Sequence, residues 1–69
     1  MKISARNVLR GKVLDVKEGP VNSQVHVDIG GGNTITSMIT TDAVRDLGVA
    51  QGKEVYVVVK ASEVMLATD

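Results

Sequence analysis

An all-β domain of five strands, with one short helix between the third and fourth, is the fold class that the sequence predicts, and three observations predict it. Thirteen of the 69 residues are Val, while Phe and Trp are absent and Tyr occurs once. Val favours the pleated, half-buried surface of a sheet and buries modest area per side chain, so the composition predicts strands over a thin core. Residues 21–29 alternate, with Val21, Val25, Val27 and Ile29 on one parity and Asn22, Gln24, His26 and Asp28 on the other, the signature of a half-buried antiparallel strand. Only Thr41–Gly48 changes to a helical period.

In order, Val8–Glu18 reads as the first strand. Its apolar residues fall on both parities, Val8, Leu14 and Val16 against Leu9 and Val13, which predicts a bulge, with Gly11 where the buried face changes. Glu18-Gly19-Pro20 is a turn, Val21–Ile29 the second strand, and Gly30-Gly31-Gly32-Asn33 a hairpin loop of residues that accept positive φ. Thr34–Thr40 is the third strand, through Ile35, Met38 and Ile39. Thr41-Asp42-Ala43-Val44-Arg45-Asp46-Leu47-Gly48 has an N-cap residue, an acid in the first turn, an apolar i, i+3 pair in Val44 and Leu47, and a C′ glycine, which predicts a helix of about two turns. After a turn through Val49–Lys53 come a fourth strand at Glu54–Ala61 and, past Ser62-Glu63, a fifth at Val64–Ala67.

This element order is that of the OB-fold, a five-stranded, partly open Greek-key barrel. An SH3-like barrel or a swapped sandwich matches the strand count, and the helix between the third and fourth strands favours OB. A chain of 69 residues makes one domain, residues 1–69, whose single core typically supplies no more than about 3–5 kcal/mol without further support. Cys is absent and one His is present, which leaves no disulfide and makes a metal held directly by side chains improbable. Homo-oligomerisation is the remaining support. Eight basic and eight acidic residues cancel, against the basic excess of a nucleic-acid footprint. No apolar run approaches the roughly 20 residues of a membrane span, and no secretory h-region opens the chain. Lack of Cys and of an export segment predicts a cytoplasmic protein.

Catalytic chemistry finds few residues. His26 alternates with apolar neighbours on a strand, and no spacing brings it to a Ser and an acid, so a half-exposed sheet residue or a subunit contact is expected, and no enzyme. Gly30-Gly31-Gly32 lacks the GK[ST] of a P-loop and precedes a strand. Aromatic platforms and a basic groove for single strands are missing, which leaves an OB-type nucleic-acid module as an alternative, beside a purely structural oligomerisation domain. Small anions are better served. Thr40 and Thr41 precede the N–H groups of Asp42 and Ala43 at the helix start, although Asp42 opposes an anion there and an ordinary Thr cap explains the same residues. Ser4-Ala5-Arg6-Asn7 and Val59-Lys60-Ala61-Ser62 supply further donors and charge.

Together, ISARN at the N-terminus, the T-T-x-A-V-x-x-L helix, GKEV and VKAS resemble the molbindin family, small molybdate-binding domains, over the whole chain. The resemblance implies an OB-like domain that assembles with itself, typically as a hexamer, and binds molybdate or tungstate at subunit contacts. By position it implies that Ser4, Arg6, Lys60 and Ala61 form one wall of the main oxyanion site, with Thr40 and Ala43 of a neighbouring subunit as the other. Ser4 and Thr40 would donate hydroxyl hydrogens, Lys60 charge and a donor, Arg6 and Ala61 mainly their backbone N–H groups. Family members often carry Ser where Ala43 stands, so only its N–H carries over. A second site of the family is matched loosely by Gly19, Val21 and Asn22, where Pro20 removes a donor. The implied role is non-enzymatic: cytoplasmic storage or homeostasis of molybdenum as a tetrahedral oxyanion.

Overall fold

The first strand is long because it serves two partners. A computed structural model describes residues 1–69. In it β1 (Asn7–Glu18) pairs antiparallel with β4 (Glu54–Val59) through residues 7–12 and with β2 (Asn22–Gly30) through residues 12–18. Adding β3 (Asn33–Thr40), also antiparallel to β2, gives one sheet in the order β3-β2-β1-β4. The hairpin between β2 and β3 forms as expected, with Gly30, Gly31 and Gly32 all at positive φ.

The bulge in β1 forms, but not at Gly11. The register runs Val13↔Val27 and then Asp15↔His26, so Leu14 is the extra residue. This insertion lets Val13 before it and Val16 after it lie on the same face. Gly11 serves another purpose: a Cβ there would stand 2.4 Å from Val27 Cγ1 and 2.9 Å from the Asp28 carbonyl oxygen. Here β2 approaches β1 too closely for a side chain.

The core is as thin as the composition implies. Val13, Val25, Val27 and Val44 are its buried apolar residues, with Val16, Ile29, Ile39, Val49, Val55 and Val57 packed around them. Ser23 is also fully enclosed, on the face expected to be apolar, whereas Val21 on that parity is exposed. The sheet begins its pairing at Asn22, and Val21 belongs to the preceding turn.

Helix α1 (Thr41–Leu47) is capped at both ends. Thr40, in extended conformation, accepts the Ala43 N–H at its Oγ1, so the cap lies one residue before the Thr41 start expected from sequence. At the other end Gly48 is left-handed, at φ 66°. Its N–H donates to the Arg45 carbonyl, and that of Val49 to the Val44 carbonyl. This is a Schellman closure, in which Val49 packs beside Val44. Leu47, expected to share the apolar stripe, is exposed. Gly48→Ala should cost about 1 kcal/mol, since φ above zero is strained for any residue with a Cβ. In calorimetry this reads as a lower unfolding midpoint.

The fifth strand expected over Val64–Ala67 does not form, so the architecture is an open four-stranded antiparallel sheet with one helix and not a five-stranded barrel. β4 ends at Val59, short of the expected Ala61, and a single 3₁₀ turn at Ala61–Glu63 carries the chain away from the sheet. The open sheet keeps free edges at β3 and β4, but the tail pairs with neither. Met65 and Leu66 are 92% and 93% exposed. Thirteen large apolar side chains are exposed in all, against four apolar residues buried.

Candidate functional site

The first backbone pair of β1 with β4, Asn7↔Val59, places the N-terminal segment beside the end of β4. The Asn7 side chain reinforces it by donating to the Val59 carbonyl at 3.3 Å. Immediately outside this pair the chain leaves the sheet on both sides, through residues 3–6 and through the 3₁₀ turn, where the Glu63 N–H closes on the Lys60 carbonyl at 2.9 Å. Between the two segments lies an open cavity of about 500 Å³, lined by Ile3, Ser4, Ala5, Arg6, Lys60, Ala61 and Ser62. Four of the sequence-predicted residues, Ser4, Arg6, Lys60 and Ala61, are therefore brought together by one register. Ser62 adds a hydroxyl to which the resemblance gives no role.

The lining carries two cations and no carboxylate. The chain's two ion pairs, His26 with Asp15 and Arg45 with Glu18, use neither Arg6 nor Lys60. A protein with no net charge thus gathers local positive charge and hydroxyl donors at one end of a sheet. That combination suits a small polyoxygen anion, each oxygen of which accepts charge-assisted hydrogen bonds. A second cavity, of about 330 Å³, lies where β1 changes partners, and Arg10 and Lys12 there are balanced by Asp28 and Glu54. Balanced charge gives a dianion no comparable attraction. Arg10 also lies 5.9 Å from the Tyr56 ring centroid.

Thr40 and Ala43 are elsewhere. β3 and β4 are opposite edges of the sheet, and Thr40 pairs with Asn22 next to the end of β1, where Glu18 meets Ser23. The length of β1, twelve residues at roughly 3.3 Å each, separates that corner from Asn7. One chain keeps the two proposed walls apart. The Ala43 N–H, moreover, is already donated to Thr40 Oγ1 at 3.0 Å, while the Thr40 hydroxyl keeps its own hydrogen to give.

Gly19, Val21 and Asn22 lie at the Thr40 corner, and two of their carbonyls are committed. Thr41 Oγ1 donates to the Gly19 carbonyl at 2.7 Å and Thr41 N–H to the Val21 carbonyl at 2.8 Å. His26 is half-buried, its Nδ1 donating to Asp15 Oδ1 at 2.7 Å across the β1–β2 pair, with Thr36 opposite on β3. It is a sheet residue, as expected.

Residues 3–66 match the family model of the TOBE domain. A probable molybdenum-pterin-binding protein of Haemophilus influenzae is 49% identical over 69 residues, covering all of both chains. Among solved structures, MopII from Clostridium pasteurianum superposes with a TM-score of 0.91 at 49% identity, over 97% of this chain and 100% of that one. The cytoplasmic molybdate-binding protein ModG, solved with molybdate bound, gives 0.84 at 51% identity over 88% of this chain and 43% of that one. The resemblance carried by ISARN, the T-T-x-A-V-x-x-L helix and VKAS thus extends to the whole fold, and the chain belongs to the TOBE-domain family as a small Mop-type member.

Proposed function

We propose that this chain is a single-domain, non-enzymatic protein that binds molybdate or tungstate in the cytoplasm and serves molybdenum storage or homeostasis. The observation that carries the proposal is the carboxylate-free cavity in which Ser4, Arg6, Lys60 and Ala61 meet. The names of its relatives, molybdenum-pterin-binding and molybdate-binding proteins, support the choice of anion.

The site is completed by a second copy of the chain, in a closed homo-oligomer that we propose to be a hexamer. Thr40 contributes its hydroxyl from the neighbour, with Ala43 beside it. Two features support assembly: the thirteen exposed large apolar side chains and the separation of the two walls within one chain. The turn at Gly19, Val21 and Asn22 is proposed as a weaker second site, limited by Pro20 and by carbonyls that already accept from Thr41.

Sulfate has the same charge and shape as molybdate but is smaller, so discrimination rests on donors too widely spaced to close around it. Calorimetry on the assembled protein should show molybdate and tungstate binding at least about a hundredfold more tightly than sulfate, the equivalent of two lost or strained charge-assisted hydrogen bonds. Native mass spectrometry with and without molybdate reports subunit number and bound ions together. Equal affinity for sulfate, or a monomer that binds molybdate fully, would overturn the reading.

A further inference from the structure

Six residues of this chain are buried, and two of them are polar: Ser23, fully enclosed, and Thr41, 4% exposed. A sealed interior this small would be expected to be apolar throughout. Position 23 lies on the same strand face as Val25 and Val27, and an alanine or valine there would bury without losing hydration. Replacing both members of a buried hydrogen-bonded pair by apolar groups is often neutral or stabilising. Core stability accounts for the Thr41 hydroxyl as the partner of the Gly19 carbonyl but gives no reason for pairing it with a second hydroxyl at Ser23.

Their geometry gives one. Thr41 has a single hydroxyl hydrogen and donates it to the Gly19 carbonyl at 2.7 Å, so at the 2.8 Å contact between the two side chains it is Ser23 that donates to Thr41 Oγ1. The Thr41 N–H meets the Val21 carbonyl at 2.8 Å. On the outside, Arg45 Nη2 donates to Glu18 Oε1, also at 2.8 Å. The junction between β3 and α1 is thus tied at three points to residues 18–21 and, through Ser23, to the middle of the sheet. The residue before Thr41 is Thr40, the hydroxyl proposed for the neighbour's anion.

We infer that Ser23 and Thr41 are positioning residues of the oxyanion site, whose buried hydroxyl relay fixes Thr40 and the Gly19–Asn22 turn as one unit before an anion arrives. The inference rests on the proposed function. Its physical content is preorganisation: a donor already held in place gives up little freedom on binding. No buried side-chain polar atom of the chain is left without a partner, so the relay is complete as it stands. Thr41→Val keeps the shape and removes both roles of the hydroxyl, leaving the Gly19 carbonyl and the Ser23 hydroxyl unpaired. Thr41→Ser keeps the relay and loses a methyl group.

The test is molybdate calorimetry on the assembled wild type, Thr41→Val, Thr41→Ser and Ser23→Ala, with subunit number by native mass spectrometry and unfolding midpoints measured alongside. Thr41→Val should bind about tenfold more weakly with subunit number unchanged, and Thr41→Ser should return to within about threefold of wild type. Ser23→Ala, which keeps the bond to Gly19, should fall between, and it decides the matter if Thr41→Val does not fold. A lowered midpoint with a wild-type isotherm in Thr41→Val overturns the inference, as does a Thr41→Ser as weak as Thr41→Val or, with Thr41→Val unfolded, a Ser23→Ala that binds like wild type. If the wild type itself binds no oxyanion, the functional reading fails first, and the inference falls with it.

Discussion

Lys60→Ala should weaken molybdate binding by about tenfold to a hundredfold while leaving the ligand-free protein folded and assembled. The magnitude is that of one hydrogen bond to a charged partner, lost from a site that must neutralise a dianion. Lys60 is exposed and takes part in neither of the chain's ion pairs, so its removal strands no partner. The unfolding midpoint without ligand should therefore stay close to that of wild type, as is usual for surface substitutions. The stabilisation that molybdate gives on heating should shrink along with the affinity. Lys60→Arg keeps the charge but not the shape of the donor and should fall between. An unchanged isotherm for Lys60→Ala would place the anion elsewhere.

Gly11→Ala should be strongly destabilising although it adds a single methyl group. The new Cβ would fall 2.4 Å from Val27 Cγ1 and 2.9 Å from the Asp28 carbonyl oxygen. The first neighbour is a side chain in the valine core and the second is sheet backbone, and neither can withdraw without shifting β2 against β1. Overpacking of this kind costs typically about 1–3 kcal/mol. For a domain of this size each kcal/mol lowers the midpoint by about 4–8 °C. Both proteins must be compared at one concentration, because the midpoint of the proposed oligomer would depend on it. A midpoint equal to that of wild type would mean that the approach of β2 to Gly11 is looser than described.

The local elements were legible because their signals are local. The alternation at 21–29, the three glycines of the hairpin and the C′ position of Gly48 each state a backbone geometry in the residues themselves. The bulge was legible as an event but not in place, since a parity change marks only an interval and Leu14 is as apolar as its neighbours. The fifth strand misled because Val64–Ala67 has the composition of a strand. Composition reports that a segment can pair and not whether the chain path brings it alongside an edge, and here the 3₁₀ turn after β4 leads it away from the sheet.

The candidate site was legible only in part, for a related reason. Ser4, Arg6, Lys60 and Ala61 meet through the Asn7↔Val59 register, which joins the two ends of the sequence and leaves no pattern in either. Their grouping came from the resemblance, and the structure supplies its cause. Ser23 escaped notice because a serine among valines reads as a tolerated exception. Thr41 reads from the sequence as part of a cap, whereas its hydroxyl faces inward to Gly19 and Ser23.

The placement of Thr40 and Lys60 at opposite corners of one sheet has a genetic consequence. In the proposed closed assembly each chain would lend its Lys60 end to one site and its Thr40 end to another, so a defect at either end would not be confined to the chain that carries it. Two defective proteins, Lys60→Ala and Thr40→Ala, unfolded together and reassembled as a mixture, should regain some intact sites wherever two undamaged ends meet. Each variant reassembled alone should regain none. Recovery of tight molybdate binding in the mixture would be complementation between subunits, with the anion recording which two chains had met.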